Sequence, residues 1–146
     1  YKQDLTGINF KQYLQDLISQ VIYTYHSPQY PVESKLHVPE ITINLDTAIP
    51  LGLIINELLT NSIEHGLKQQ SGTIEITIAQ EAAQYRLIIR DNGIGLPENF
   101  DLNNSTTLGL SIVATLAKQL RGSFELRNEN GTIAEVCFQS IGLQNE

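Results

Sequence analysis

Three stretches of this sequence carry side chains whose types and spacing could do chemistry. The first is Asn56-Glu57-Leu58-Leu59-Thr60-Asn61-Ser62-Ile63-Glu64-His65. On a helix, Glu57, Asn61, Glu64, His65 and Lys68 stand three, four or seven apart and share one side. Leu53, Ile54, Leu58 and Leu59 face other ways. Polar side chains on an otherwise apolar helix need a reason, because burying one unpartnered costs about 1–3 kcal/mol. A carboxylate four residues before an amide suits a hydrated Mg2+, which takes few protein oxygens and completes its shell from water and phosphates. Taken alone, the stretch reads more simply as a solvated helix face.

The second stretch is Asp91-Asn92-Gly93-Ile94-Gly95-Leu96-Pro97, directly after an apolar strand. Two glycines permit a tight turn and close backbone approach to a ligand. A carboxylate at a strand end can accept a hydrogen bond from an exocyclic amine. Asp-Asn-Gly is equally an ordinary turn. No Gly-Lys-Ser/Thr follows, so this is not a Walker A loop, and the third glycine and immediate helix of a dinucleotide fingerprint are missing. The third stretch, Thr107-Leu108-Gly109-Leu110-Ser111, opens a helix. Free N–H groups and the positive end of the dipole make a phosphate seat there. Plain capping by Thr106 or Thr107 accounts for the same residues.

The elements that position these residues follow from the apolar pattern. Phe10, Leu14, Leu17, Ile18, Val21, Ile22 and Tyr25 form one stripe on a first helix. His26-Ser27-Pro28 and Pro31 break it. Leu36, Val38, Ile41, Ile43 and Leu45 predict two short extended pieces around Pro39. Asp46 or Thr47 caps a second helix that runs to about Leu67, with Pro50 near its first turn and Gly66 near its end. Thr73–Ala79 alternates Ile74, Ile76 and Ile78 inward, and Gln84–Arg90 has the near-continuous apolar run of a central strand. A polar loop leads to a helix over Leu108–Leu120, with Leu108, Ile112, Val113, Leu116 and Leu120 on one face. The chain closes on a hairpin, Ser123–Arg127 and Thr132–Gln139, turning at Asn130-Gly131. This order predicts a two-layer α/β sandwich: a mixed, mostly antiparallel sheet covered on one face by three helices.

Composition bounds the rest. The 146 residues make one domain with room for a core. There are 9 Lys+Arg against 16 Asp+Glu, a net charge of −7, which argues against nucleic acid as a partner. A small anion held by backbone N–H groups stays open. Cys137, the single cysteine, excludes an internal disulfide and a cysteine zinc site, and its neighbours predict a buried thiol in a strand. No apolar run reaches about 18 residues, and the N-terminus lacks a secretory pattern, so direct membrane contact is not expected and a cytoplasmic setting is.

Together the three stretches match, in type, order and spacing, the N box and the two glycine boxes of the GHKL superfamily, whose ATP-binding domain is the Bergerat fold. Gly131-Thr132 resembles that family's final Gly-Thr. The likeness covers at least Asp46 to Phe138. Leu45-Asp46-Thr47-Ala48-Ile49-Pro50-Leu51-Gly52-Leu53 and Pro97-Glu98-Asn99-Phe100-Asp101 resemble one branch: sensor histidine kinases whose phosphoacceptor domain is of the second, HWE-related type. Residues 1–25 resemble the connector from that phosphoacceptor domain, and residues 26–146 its ATP-binding catalytic domain, folded as one unit with the first helix.

The resemblance implies ATP and Mg2+ as cofactors, and a residue-by-residue division of labour. Asp91 would bind the adenine amino group, with Thr132 assisting through water. Gly93 and Gly95 would let the chain pass the nucleotide. Asn61 would coordinate the metal. Gly109 and Leu110 would cover the phosphates with backbone N–H groups. His65 and Lys68 would lie on the phosphate side. Glu57 would orient or deprotonate the incoming imidazole.

The implied partners are the phosphoacceptor and dimerisation domain of a homodimeric parent kinase and, through it, a response regulator. His26, His37 and His65 all lack the helical setting of an acceptor, so the accepting histidine is expected elsewhere. The sequence departs from the family pattern at Glu64, where relatives usually carry Lys, and a second anion near the phosphates would weaken binding unless Lys68, one turn later, compensates. It has one glycine, Gly109, in a box that often has two, and it lacks the aromatic box of longer-loop kinases, although Phe100 lies in that region. An anti-sigma-factor serine kinase of the same fold and a degenerate nucleotide-binding module are the alternatives. The polar Asn99–Thr107 segment is expected to move when no nucleotide is bound.

Overall fold

Alternation of side chains decides how the sheet is covered. Ile74, Ile76 and Ile78 are all buried, as are Leu87 and Ile89 opposite them and Val136 and Phe138 one strand further on. These residues share the inner face because strand positions two apart point the same way. The computed structural model describes residues 7–25, 28–68, 70–96 and 108–139. Within them the order is β1 (Ile8–Asn9), α1 (Phe10–Tyr25), β2 (Val32–His37), β3 (Thr42–Ile43), α2 (Leu45–Asn61), a π-helical turn (Ser62–Gly66), β4 (Gly72–Glu81), β5 (Gln84–Asp91), α3 (Leu108–Gln119), β6 (Ser123–Asn128) and β7 (Thr132–Gln139).

Five strands form one sheet in the order β2-β4-β5-β7-β6. β2 pairs with β4 in parallel, across the connection that contains α2, and every other pair is antiparallel. The expected mixed, mostly antiparallel sheet under three helices is what forms. Phe10, Leu14, Ile18 and Val21 of α1, Leu51, Ile54, Ile55 and Leu59 of α2, and Val113 and Ala117 of α3 meet the inner face in one core. Tyr85 and Phe138, paired across β5 and β7, stack with ring centroids 5.3 Å apart. The outer face is a lattice of charge. Arg127 donates to Glu135 at 2.7 Å, and Arg86 lies 3.2 Å from the same carboxylate. The hydrogen bond that Arg127 donates to Glu135 raises its guanidinium above its ordinary pKa. Among the described residues, no helix is long and apolar enough to cross a membrane.

Several local expectations are corrected. Neither Asp46 nor Thr47 caps α2. Asn44 does, its side chain accepting the Thr47 N–H at 3.2 Å, so Leu45 opens the helix instead of ending a strand. Pro50 therefore sits inside α2, where it removes the amide that would bond the Asp46 carbonyl. Cys137 is only half-buried, because its register sets it opposite Arg86 on the charged face. Tyr25, Leu53 and Ile112 are exposed, while Leu110 and Ala117 join the buried side of α3. β1, too short to read from pattern, pairs with β3 and ties the start of α1 beside the start of α2. His26, a cap at Thr106 or Thr107 and the Asn99–Thr107 segment lie outside the described residues.

Leu87 has no exposed surface and lies between Ile78 and Val136 at the centre of the sheet. Leu87→Ala should lower unfolding stability by about 2–5 kcal/mol in a urea titration. An unchanged midpoint would rule out this core.

Candidate functional site

The inward row of β5 runs Tyr85, Leu87, Ile89 and then Asp91. Alternation therefore forces a carboxylate onto the apolar side, and Asp91 is only 1% exposed. Its Oδ1 accepts two backbone bonds, from Gly93 N–H at 2.9 Å and Thr132 N–H at 3.2 Å. Its Oδ2 is buried and has no hydrogen-bond partner among the described residues. Folding would select against such an atom unless something else comes to meet it.

Glycines make this packing possible. A Cβ on Gly66 would stand 2.7 Å from Asp91 Oδ2 and close the space in front of it. A Cβ on Gly131, at φ +126°, would strike the Asp91 carbonyl. Gly93 rests directly on the backbone of Gly66, and the next amide, Ile94 N–H, donates to the Gly66 carbonyl at 2.9 Å. The loop after β5 is pinned at both ends by asparagines. Asn92 Oδ1 accepts from Thr73 N–H at 2.9 Å. Asn128 on β6 accepts from Leu96 N–H at 2.6 Å and donates to the Leu96 carbonyl at 2.9 Å.

Between α2, this loop and the start of α3 lies an open cleft of about 980 Å³. Its inner walls are apolar: Leu58, Ile89, Leu110, Leu126 and Ala134. Asp91 and Thr132 stand at the closed end, and Glu57, Asn61, Glu64, His65 and Lys68 along the α2 side. The π turn explains how so many consecutive residues reach one cleft. Leu67 N–H bonds the Ser62 carbonyl at 2.7 Å, five residues back, and the widened turn brings Ser62, Glu64, His65 and Gly66 to the same cleft. Gly109 leaves room for the Glu57 carboxylate beside the first turn of α3. The Thr60 hydroxyl in the same lining is a second buried polar group without a partner among the described residues, and an apolar slot with the open Asp91 carboxylate oxygen suits a flat heterocycle with an amino group. A polar rim with a helix N-terminus suits its phosphates. Among the described residues no three His, Cys, Asp or Glu side chains gather to cage a metal. The Asn61 amide oxygen is a hard donor, of the small number that Mg2+ takes when water and phosphates supply the rest.

Of the residues singled out from sequence, Glu57, Asn61, His65, Lys68, Asp91, Gly95, Gly109, Leu110 and Thr132 all line the cleft. Gly93 does not: the backbone it lets pass is that of Gly66. His37 lies on the outer sheet face, 2.7 Å from Glu75. Sequence reasoning missed Ser62, Leu126, Ala134 and Asn128. Only Ile89, two residues before Asp91 on an evident strand, could have been found by period alone.

Comparison with known proteins agrees with this geometry. The family described as histidine kinase-, DNA gyrase B- and HSP90-like ATPase matches residues 46–141. The sensor histidine kinase PdtaS of Mycobacterium tuberculosis is 37% identical over 95 residues, covering 62% of this chain and 19% of the relative. An anti-sigma F factor of Clostridium kluyveri is 34% identical over 115 residues, covering 71% of this chain and 80% of the relative. Among solved structures, the histidine kinase domain of the Erythrobacter litoralis blue-light-activated kinase superposes with a TM-score of 0.82. It shares 24% identity, and the match covers 93% of this chain and 64% of that one. The chain thus spans about a fifth of its mycobacterial relative.

Gly93→Ala drives a methyl group into the Gly66 carbonyl. It should lower stability by about 1–3 kcal/mol, read as a drop in melting temperature of the free protein. An unmoved melting temperature would mean that this backbone contact does not hold the loop.

Proposed function

The chain belongs to the histidine kinase-, DNA gyrase B- and HSP90-like ATPase family, and we propose that it is the ATP-binding catalytic domain of a sensor histidine kinase. The observation that carries the reading is the unpartnered Asp91 Oδ2 at the end of an apolar cleft whose rim holds Glu57, Asn61 and the start of α3. In this reading Asp91 Oδ2 accepts the exocyclic N–H of adenine, and Thr132 assists through water. Leu58, Ile89 and Ala134 exclude water from the ring faces. Asn61 would hold Mg2+, while His65, Lys68 and the amides of Gly109 and Leu110 neutralise or cover the phosphates. Gly95 shapes the loop beside them. Bound there, the metal would supply charge neutralisation. As an imidazole nitrogen of the acceptor bonds to the γ-phosphorus, the bond from phosphorus to the bridging oxygen breaks. ADP departs, and Glu57 takes the proton released by the imidazole.

The acceptor histidine sits on a phosphoacceptor domain of a homodimeric, cytoplasmic parent, which passes phosphate on to a response regulator. Residues 1–25 serve as the connector to it and residues 26–146 as the catalytic unit. A second reading, a serine kinase that binds a sigma factor, is favoured by one observation: the match spans 80% of the anti-sigma relative's length. The two differ in the phosphorylated product, acid-labile phosphohistidine against acid-stable phosphoserine.

Asp91→Asn keeps the shape and the Oδ1 acceptor but removes the charge. It should weaken ADP about ten- to a hundredfold in isothermal titration, the loss of one charged hydrogen bond of about 1.5–3 kcal/mol. Equal affinity would refute the adenine assignment, and no binding by the parent chain would mark a degenerate module. Glu57→Gln should leave ADP affinity nearly unchanged. It should slow transfer to a supplied phosphoacceptor domain about 10²–10⁴-fold. Transfer at the parent rate would remove Glu57 from the chemistry.

A further inference from the structure

Threonine inside a helix commonly returns its hydroxyl to the carbonyl four residues back, and Thr24 on α1 does so, donating to the Gln20 carbonyl at 2.9 Å. Thr60, in the last turn of α2, makes no such bond. Its Oγ1 is buried and has no hydrogen-bond partner among the described residues. A hydroxyl kept from water in this way destabilises the fold that holds it. Thr60 also lines the cleft, together with Glu57 one turn before it, Asn61 immediately after it and Glu64 one turn on. Glu57 and Glu64 offer acceptors on the same side of the helix, yet the hydroxyl bonds neither. The side chains lining the cleft are rich in anions, with Glu57, Glu64 and Asp91 against Lys68 and His65. An anionic ligand beside α2 therefore meets carboxylates, and a neutral O–H donor between Glu57 and Asn61 offsets part of that repulsion.

We propose that the Thr60 hydroxyl is a binding group for the nucleotide and donates a hydrogen bond to an oxygen of its phosphate chain. The proposal deepens the nucleotide assignment above and rests on it. Phosphate oxygens only accept, so they give the hydroxyl proton the partner that the protein alone does not provide. Position along the helix separates this role from base recognition. Asp91 meets the helical segment at Gly66, well past Thr60, whereas Glu57, one turn before Thr60, reaches Gly109 at the start of α3. Thr60 therefore stands toward the end of the cleft assigned to the phosphates. Asp91 Oδ2 and Thr60 Oγ1 are then complementary: a buried acceptor for the adenine amine and a buried donor for the phosphates. A nucleoside meets the first of them, and a nucleotide meets both. The cleft is thereby selective for the phosphorylated ligand through a residue that carries no charge.

Thr60→Val keeps the branched shape and removes the hydroxyl. Isothermal titration with Mg2+ present should show ADP and the non-hydrolysable analogue AMP-PNP each weakened about ten- to a hundredfold. Adenosine, followed by ligand-detected NMR, should bind the variant as it binds the parent. The melting temperature of the free variant should equal or exceed the parent value, because the hydroxyl removed has no partner to lose. Thr60→Ser should restore most of the affinity, and Thr24→Val, on α1, should alter none of it. If the parent chain binds ADP and Thr60→Val binds it equally well, the phosphate contact is wrong while the nucleotide reading stands. A loss that adenosine shares in full would move the hydroxyl to the base and overturn the proposal. A melting temperature several degrees below the parent value would show that the hydroxyl is already bonded in the free fold, which removes the premise. If the parent chain binds neither ADP nor AMP-PNP, the nucleotide reading fails and the proposal fails with it.

Discussion

One buried carboxylate organises this domain. Asp91 ends the inward row of the central strand, where period-two alternation allows it no other side. Half of its hydrogen-bonding capacity is met by the Gly93 and Thr132 amides, and half is left open toward the cleft. A buried charge held this way is tolerable only with close, well-aimed neighbours. The backbone around it crowds in wherever a side chain would obstruct: Gly66 in front, Gly93 against Gly66, and Gly131 over the Asp91 carbonyl. The strain of left-handed backbone at Gly95 and Gly131 is absorbed in the same few turns, by the residue type that bears it without penalty.

The helix facing Asp91 does two jobs that pull its composition in opposite directions. Its inner side must be apolar to cover the sheet, and the side toward the cleft must be polar to hold a charged ligand. The π turn at Ser62–Gly66 reconciles them, because a wider turn sends more consecutive residues to one side than a 3.6-residue helix can. Glu64 and Lys68 both reach the cleft, so the acidic departure from the family pattern has a cation within the same cavity.

Much of this was legible in the residues, and the failures have physical causes. The Asp-Asn-Gly turn, the polar side of α2 and the glycine opening α3 are local signals, each set by chemistry within one or two turns of chain. The helices and the sheet followed from the apolar periodicity, and the resemblance carried by these signals led to nine of the residues that line the cleft. At Gly93 the sequence shows that a glycine permits close approach, and the fold shows that the backbone of Gly66 is one of the groups that approaches. Asn44 was missed as the cap because Asp46 and Thr47 are equally good capping types, and only the helix register chooses. Leu53 and Ile112 look like core residues by composition, and only the packing of the helices reveals that nothing covers them. Asn128 lies 32 residues from Leu96, whose amide and carbonyl it holds, and no periodic pattern spans that distance.

That last separation bears on when the site comes into being. Asp91 meets Thr132 across 41 residues, and Leu96 meets Asn128 across 32. All of the chemistry-bearing motifs up to Gly109 precede both partners in the chain. During synthesis or refolding they are present as sequence well before they are present as a cavity. Closing such long loops is entropically slow and is rewarded only when β7 zips onto β5. The cleft is therefore complete only once β7 has paired with β5. A ligand that needs both Asp91 and Thr132 stabilises the finished fold alone, with nothing to grip in any shorter folding intermediate.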